Sequence, residues 1–505
     1  MTIQSMALIG TGVMGMGIAQ IAAQAGLEVR LFDVQPGAAQ LGLDKLTQSL
    51  QQLQQKGKFS AQVLEQTLSQ FKVLDQIEQV AGVDLVVEAI VENLDIKKNL
   101  FKQLEAIVSE TTILASNTSS LSVTAIAADL AHQGRVAGFH FFNPVALMKV
   151  VEVIRGLATE ESVIEALLVL AKRMGHTGVQ TKDTPGFIVN HAGRAYGTEA
   201  LKALGEGVAS TSEIDRILRA AAGFRMGPFE LLDLTALDVS HPVMESIFNQ
   251  YYQEDRYRPS ALTRQMLAAK KVGRKVGEGF YRYFEGKKLN ETPAQMVPVI
   301  TQFNAVWVQA DEPAQAEQLR QYILEQGIEV DRAEIAATDS LIILATYGED
   351  TTTAALRFGV DATRTVSIDM LTDFNLHRTL MPSIVTQPAY IDQAHALFAK
   401  TPQGVSVIAE SVGFITQRIL AMVINLGCDI AQQQIATATD IDLAVKLGLG
   451  YPYGPIAWGD HLGAPRILLI LERMHANTGD QRYRPSPWLK RRAQLNVSLL
   501  HHAAV

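Results

Sequence analysis

Apolar runs alternate with amphipathic stretches through the first 185 residues. Strand-like runs fall at 5–9, 28–32, 83–89, 112–115, 135–141, 149–154 and 178–181. Segments with apolar residues at helical spacing separate most of them, an alternation that predicts a mainly parallel α/β sheet. Residues 36–70 interrupt the rhythm with two helical patterns around Lys56-Gly57-Lys58, which predicts a helical hairpin after the second strand. An excursion that long, with its own helices, is usually functional.

After Asp183-Thr184-Pro185-Gly186 the pattern is mostly helical to about Phe284, and Glu285-Gly286-Lys287-Lys288 makes a polar linker. Strand signals return at 305–308, 341–345 and 365–368, and helix dominates again from about Gly413. The second alternation prompts a search for repeats. A shift of 227 residues carries Gly186-Phe187-Ile188 onto Gly413-Phe414-Ile415 and Ile214-Asp215 onto Ile441-Asp442. It also carries Gly223, Gly227-Pro228 and Asp233 onto Gly450, Gly454-Pro455 and Asp460. With the shift reduced by one, Arg256-Tyr257-Arg258-Pro259-Ser260 repeats at 482–486. Ordered identities of this kind predict a tandem duplication.

Gly10-Thr11-Gly12-Val13-Met14-Gly15 lies between the first strand and an apolar helical pattern. In this setting Gly10 permits the tight turn, Gly12 lets backbone approach a pyrophosphate, and Gly15 allows close helix–strand packing. The second strand ends at Asp33, whose carboxylate can accept from both ribose hydroxyls and repels a 2′-phosphate. These residues predict NAD rather than NADP. The matching stretch of the second half, near 305–311, has no glycine, so no cofactor is expected there.

Composition narrows the classes. With 48 % apolar and 19 % charged residues the chain can bury large cores and is not disordered overall. A net charge of −8 gives no electrostatic case for nucleic acid or an anionic membrane. The single cysteine, Cys428, excludes an intrachain disulfide and a multi-cysteine metal centre, and no metal is expected. The longest apolar runs, 166–171 and 467–471, fall far short of the ~18–20 residues that span a bilayer. Met1 leads almost directly into a strand, leaving no room for a cleavable leader, so a cytoplasmic protein is expected.

Six segments resemble signature stretches of the L-3-hydroxyacyl-CoA dehydrogenases: VEAIVEN at 87–93, ASNTSSL at 115–121, GFHFFNP at 138–144, KDTPGFIVN at 182–190, GPFELLD at 227–233 and GEGFY at 277–281. The resemblance is close over 5–284. It implies a Rossmann NAD-binding domain (1–183) carrying the 36–70 hairpin, followed by an all-helical substrate and dimerisation-type domain (184–285). Residues 290–403 resemble a reduced Rossmann-like domain and 404–505 a second helical domain. The whole is similar to two-copy bacterial members that act on 3-hydroxyadipyl-CoA in phenylacetate catabolism, with 3-hydroxybutyryl-CoA the alternative substrate. A silent NAD-binding sensor is the competing class.

Oxidising a secondary alcohol by hydride transfer requires a base for the hydroxyl proton. His140 ends a strand run, and Glu152 lies in the next one, where it could fix the imidazole tautomer. Alone, a histidine in an aromatic run reads as a core or rim residue. The resemblance implies that His140 is the base and Glu152 its orienter, and it adds Ser119 and Asn190 to the catalytic set. Alone, 117–120 reads as a helix N-cap. The resemblance further implies cofactor contacts at Met14, Ile90, Glu92, Lys97 and Asn143, although Glu92 and Lys97 read equally as a solvated helix pair. It places Ser49 and Lys56, close to one helical face, on coenzyme A. It does not rank Arg194, Lys202, Arg225 and Arg256 as partners for the far end of an acyl chain. The helical domains 184–285 and 404–505 are expected to pair within the chain, and further homo-oligomerisation is compatible with this.

Overall fold

A computed structural model describes residues 2–289, 291–399 and 404–501. The expected domain ends at 290, 400–403 and 502–505 lie outside the described residues. The chain forms two compact units. One contains the residues up to His191 together with Gln433–Leu449, and the other contains Ala192–Gln432 and the residues from Gly450 onward.

The first unit is built on an eight-stranded sheet: β1 (Ser5–Ile9), β2 (Glu28–Phe32), β3 (Phe71–Val73), β4 (Leu85–Glu88), β5 (Ile113–Ser116), β6 (Val136–Phe141), β7 (Val150–Arg155) and β8 (Thr177–Lys182). Their order is β3-β2-β1-β4-β5-β6-β7-β8. Every pair is parallel except β6 with β7. The central strands are buried on both faces, as near-continuous apolar runs in a helix-covered parallel sheet must be. The expected strands are all present, and β3 is an additional short edge strand.

Helices Ala38–Gln55 and Ala61–Leu68 form the expected hairpin, turning at Gly57 with φ +70°. Only Ala39, Leu46 and Leu50 of the long helix are buried, so most of its surface faces solvent. Helix Ala438–Leu449 packs on β7 and β8, and the Lys182 N–H donates to the Ile435 carbonyl at 2.9 Å. This differs from the expectation of 404–505 as one body. An amphipathic pattern predicts a buried helical face but does not specify which sheet covers it.

In the second unit a small ribbon, β9 (Tyr283–Phe284) with β10 (Lys287–Lys288), occupies the polar linker. A six-stranded sheet follows: β11 (Val306–Ala310), β12 (Val330–Asp331), β13 (Leu341–Ala345), β14 (Thr365–Ile368), β15 (Arg378–Pro382) and β16 (Val405–Val407). Its order is β12-β11-β13-β14-β15-β16, with β14/β15 antiparallel and β15/β16 parallel, the same closing pattern as β6-β7-β8. Helix Ile415–Gln432 is buried over nearly its whole length, packing against Arg194–Gly205, Pro455–Leu462 and Ala464–Thr478. Its polar residues are buried with partners as well: Gln417 donates to the Thr346 carbonyl, Arg418 to Glu199 and Asn425 to the Arg484 carbonyl. Two contacts in this unit are reciprocal: Arg256 donates to the Arg484 carbonyl (2.8 Å) and Arg482 to the Arg258 carbonyl (3.3 Å).

Candidate active site

The carboxyl ends of β1, β4, β5 and β6 gather the chemistry-bearing residues of the first unit, where ligands bind in open α/β sheets. Gly10 has φ +96°, and a Cβ there would lie 2.7 Å from the Ala89 carbonyl oxygen. At Gly15 a Cβ would lie 1.9 Å from the Gly10 oxygen, whereas Gly12 has open space beside it. Helix Val13–Gln24 starts there with no side-chain cap on Gly12, leaving first-turn N–H groups for an anion. Asp33 accepts from the Thr11 N–H and hydroxyl, both at 2.8 Å, and from the Gln35 N–H at 3.0 Å. Burial opposes ionisation of Asp33, but these bonds outweigh it and hold its carboxyl below the ordinary range. An open glycine, free helix N–H groups and an ionised carboxylate fit a dinucleotide with free ribose hydroxyls.

An acid–base cluster with a buried centre follows β4. Glu88, fully buried at the end of β4, takes the Lys97 ammonium at 2.6 Å, the Ile90 N–H at 2.7 Å and the Ser116 hydroxyl at 2.7 Å. Lys97 also pairs with Glu92 at 3.3 Å. Lys97 is 1 % exposed, so it is not half of a solvated helix pair. Glu92 collects the Thr118 hydroxyl (2.6 Å), the Ser119 N–H (3.0 Å) and the N–H and hydroxyl of Ser120 (3.1 and 3.0 Å). Burial opposes ionisation of Glu92, yet these donors and Lys97 hold its carboxyl below the usual range. The 117–120 segment is therefore a loop wrapped on Glu92 rather than a helix cap. Ser122 caps helix Val123–Ala127, and Asp183 also takes the Val123 and Thr124 N–H groups.

His140 and Glu152 are register partners across the antiparallel β6/β7 pair. His140 Nδ1 lies 2.7 Å from Glu152 Oε2, and both side chains are buried. Glu152 Oε1 accepts the consecutive Ile188 and Val189 N–H groups, each at 2.8 Å. Those amides are presented by a sharp turn with φ +79° at Gly186 and +50° at Phe187. A left-handed phenylalanine is locally costly and persists only where its surroundings enforce it. With a carboxylate as the acceptor, the tautomer that fits this contact has its proton on Nδ1 and its lone pair on Nε2. Phe142 and Phe187 flank the imidazole, with centroids at 4.4 and 5.9 Å.

The loop and the histidine strand are tied together by Asn117, whose Oδ1 accepts the Phe141 N–H at 2.8 Å. Sequence reasoning missed Asn117, Glu88 and Asp183 as organisers. The segments that carry the resemblance contain all three, but the positions they bind lie 24 to 61 residues away in some cases. Asn190 follows Val189 and is half-buried, as are Ser119, Met14 and Ile90. Asn143 is exposed just beyond β6. Ser49 and Lys56 are exposed on the hairpin, Ser49 inside its long helix and Lys56 at the helix's C-cap. Among the described residues no cluster of three or more His, Cys, Asp or Glu could hold a metal, and no helix is long and apolar enough to cross a membrane.

The family description "3-hydroxyacyl-CoA dehydrogenase, NAD binding domain" matches residues 5–184. The family's C-terminal domain matches twice, at 186–283 and at 413–498. The chain is 37 % identical over 493 residues to the 3-hydroxyadipyl-CoA dehydrogenase of Escherichia coli K12, covering 98 % of both chains. A probable 3-hydroxybutyryl-CoA dehydrogenase of Bacillus subtilis is 41 % identical, over 56 % of this chain and 99 % of its own length. Among solved structures, a 3-hydroxybutyryl-CoA dehydrogenase from E. coli K12 superimposes with TM-score 0.87 at 36 % identity, covering 98 % of this chain and 99 % of that one.

Proposed function

The chain belongs to the 3-hydroxyacyl-CoA dehydrogenase family, and on that premise we propose that it oxidises 3-hydroxyadipyl-CoA with His140 as general base and Glu152 as its orienter. The family activity is NAD-dependent oxidation of a 3-hydroxyacyl-CoA. The observation that carries the base assignment is the His140–Glu152–Ile188/Val189 chain of hydrogen bonds. Bound NAD would supply the hydride acceptor. His140 Nε2 takes the proton of the 3-hydroxyl, and Glu152, held by two backbone amides, supports the imidazolium that results. The Ser119 hydroxyl and Asn190 amide hold the substrate oxygen. Gly10, Gly12 and Gly15 seat the pyrophosphate and Asp33 the ribose. Met14, Ile90, Glu92 and Asn143 line the nicotinamide side, with Lys97 fixing Glu92 from behind. Ser49 and Lys56 meet the adenosine end of coenzyme A.

The dicarboxylic substrate is supported by the relative of that name matching from end to end, whereas the half-length 3-hydroxybutyryl-CoA relative spans 56 % of this chain. The full-length E. coli structure, named for 3-hydroxybutyryl-CoA, favours the four-carbon substrate as the second reading. Comparing kcat/KM for NAD reduction on the two thioesters decides between them, and a preference for 3-hydroxybutyryl-CoA overturns the first.

A tandem duplication underlies the architecture in this reading. It is supported by the doubled family match, by the reciprocal arginine contacts, and by a 227-residue symmetry of backbone bonds. Lys182 N–H to the Ile435 carbonyl and Ala409 N–H to the Val208 carbonyl are equivalent pairs, both 2.9 Å. The four-domain division 1–183, 184–285, 290–403 and 404–505 describes that ancestry rather than the compact units. The pairing of helical repeats inside one chain would replace the contact made by two copies of a half-length protein. We place the enzyme in the cytoplasm, in the phenylacetate-degrading context of its full-length relative's substrate.

A further inference from the structure

We propose that helix Ala438–Leu449, contributed by the second half of the chain, is a positioning element for the His140–Glu152 pair, acting through Gly448. This rests on the assignment of that pair as base and orienter.

Gly448 lies in the last turn of its helix, where glycine is a poorer helix former than alanine. Its surroundings supply the reason. A Cβ on Gly448 would lie 2.9 and 3.1 Å from the two γ-carbons of Val189, and 3.5 Å from Val150 Cγ1. Val189 donates one of the two amides that hold Glu152 Oε1, and Val150 begins the strand that carries Glu152. The glycine thus lets the helix backbone press directly on both ends of the clamp. Valine has little χ1 freedom with which to yield, so added bulk at 448 would be passed to the Val189 backbone. The bond from the Lys182 N–H to the Ile435 carbonyl fixes the entrance to the same helix.

The corresponding place in the first helical repeat argues that the architecture does not itself require glycine. Position 221, which the 227-residue shift equates with 448, is a buried alanine, on a helix that packs on β15. The close approach occurs at the sheet that carries the histidine and glutamate. A base misplaced by a fraction of an ångström forfeits much of its advantage. The second half, on this view, does more than cover apolar surface: it completes the mounting of the carboxylate.

The test uses the full-length enzyme bearing Gly448→Ala or Gly448→Val. Expected are a kcat lowered about tenfold or more in the valine variant and less in the alanine variant. The NAD dissociation constant should stay within about twofold of wild type, and the acid limb of kcat/KM against pH, where protonation of the base removes activity, should shift. Adding Val189→Ala removes the crowding and should restore both kcat and the pH profile. Wild-type kcat and pH profile in a folded Gly448→Val enzyme overturn the proposal. So does a loss of kcat that runs in parallel with lost NAD affinity and is not relieved by Val189→Ala. Normal turnover in His140→Gln would instead overturn the base assignment, whereas a dead His140→Gln beside a normal Gly448→Val rejects only the positioning role.

Discussion

Glu199 and Arg418 are 219 residues apart in sequence and joined by a 2.8 Å bond in the fold, with both side chains buried. Glu199 also accepts from Arg482 (3.2 Å) and the Tyr483 hydroxyl (2.9 Å), so one first-half carboxylate gathers three donors from the second half. Burial disfavours the Arg418 guanidinium, but Glu199, Tyr483 and Glu206 outweigh it and keep it charged. Removing one partner strands the others. Arg418→Met or Glu199→Leu should destabilise the second unit by about 3–5 kcal/mol, read by urea unfolding with an in-unit fluorescence probe. An unchanged unfolding profile would show the pair to be incidental.

The His140–Glu152 bond makes a separable prediction about chemistry. His140→Gln and Glu152→Gln should each lower kcat by at least about 10² while leaving NAD affinity near wild type. Glutamine keeps much of the bulk but removes the base in one case and the charge behind the imidazolium in the other. Near-normal turnover in either would remove the proposed mechanism.

Asp33 should set cofactor choice. Its carboxylate is ionised and anchored by Thr11 and Gln35, so a 2′-phosphate meets a fixed negative charge. NADP should support turnover poorly, and Asp33→Ser should narrow the gap chiefly through KM for NADP. Equal kcat/KM for the two cofactors in the wild-type enzyme defeats the assignment.

Glu92 predicts an acid-sensitive loop. Its carboxyl is held below the ordinary value of 4.5, so it favours the folded loop above that value. That contribution is lost as pH falls through the lowered folded-state value, because protonation removes the charge that strengthens the bonds from Thr118, Ser119 and Ser120 and pairs with Lys97. Amide exchange at Ser119 and Ser120, corrected for intrinsic rates, should accelerate on acidification below about pH 4.5. Glu92→Gln keeps an acceptor oxygen but not the charge, so Ser119 and Ser120 should exchange faster than in wild type above about pH 4.5, with the pH step abolished. A step that persists in that variant assigns it to another group.

The parts of this fold that are legible from the residues are those set by local pattern. Runs such as 5–9, 28–32, 341–345 and 365–368 coincide with β1, β2, β13 and β14 because each alternates or saturates with apolar residues between clear breakers. β3, with three residues at an edge, and β15, which begins with Arg378, offer no such run. Lys97 is ambiguous in the sequence because its partner Glu88 lies nine residues back at the end of a strand, across a loop and a helix start, outside any helical spacing. The placement of 433–449 on the first sheet depends on contacts hundreds of residues distant. No periodicity encodes that.

The second sheet gives the last prediction, that each chain binds a single NAD. β11 sits between β12 and β13, both parallel to it, as β1 sits between β2 and β4. Where Gly10 follows β1, however, Asp311 follows β11, and the next helix opens on Pro313 with no glycine turn. Asp311 is held by Arg357 at 2.8 Å, and Arg473 and Glu349 complete the ion-pair cluster. Burial opposes ionisation of Asp311, but Arg473, the Tyr347 N–H and Arg357 hold its carboxyl below the usual range, so the ion pairs at the end of β11 are closed on one another. Gly348, at φ +66°, leaves only 2.5 Å between a hypothetical Cβ and the Ile470 carbonyl oxygen, which brings helix Ala464–Thr478 down onto the loop after β13. A Rossmann site needs open backbone at that edge, and here helix and ion pairs fill it. Calorimetric titration of the full chain should therefore saturate at one NAD, and Gly12→Val should abolish the heat altogether. A stoichiometry near two, or residual binding in that variant, would mean the second sheet still takes a dinucleotide.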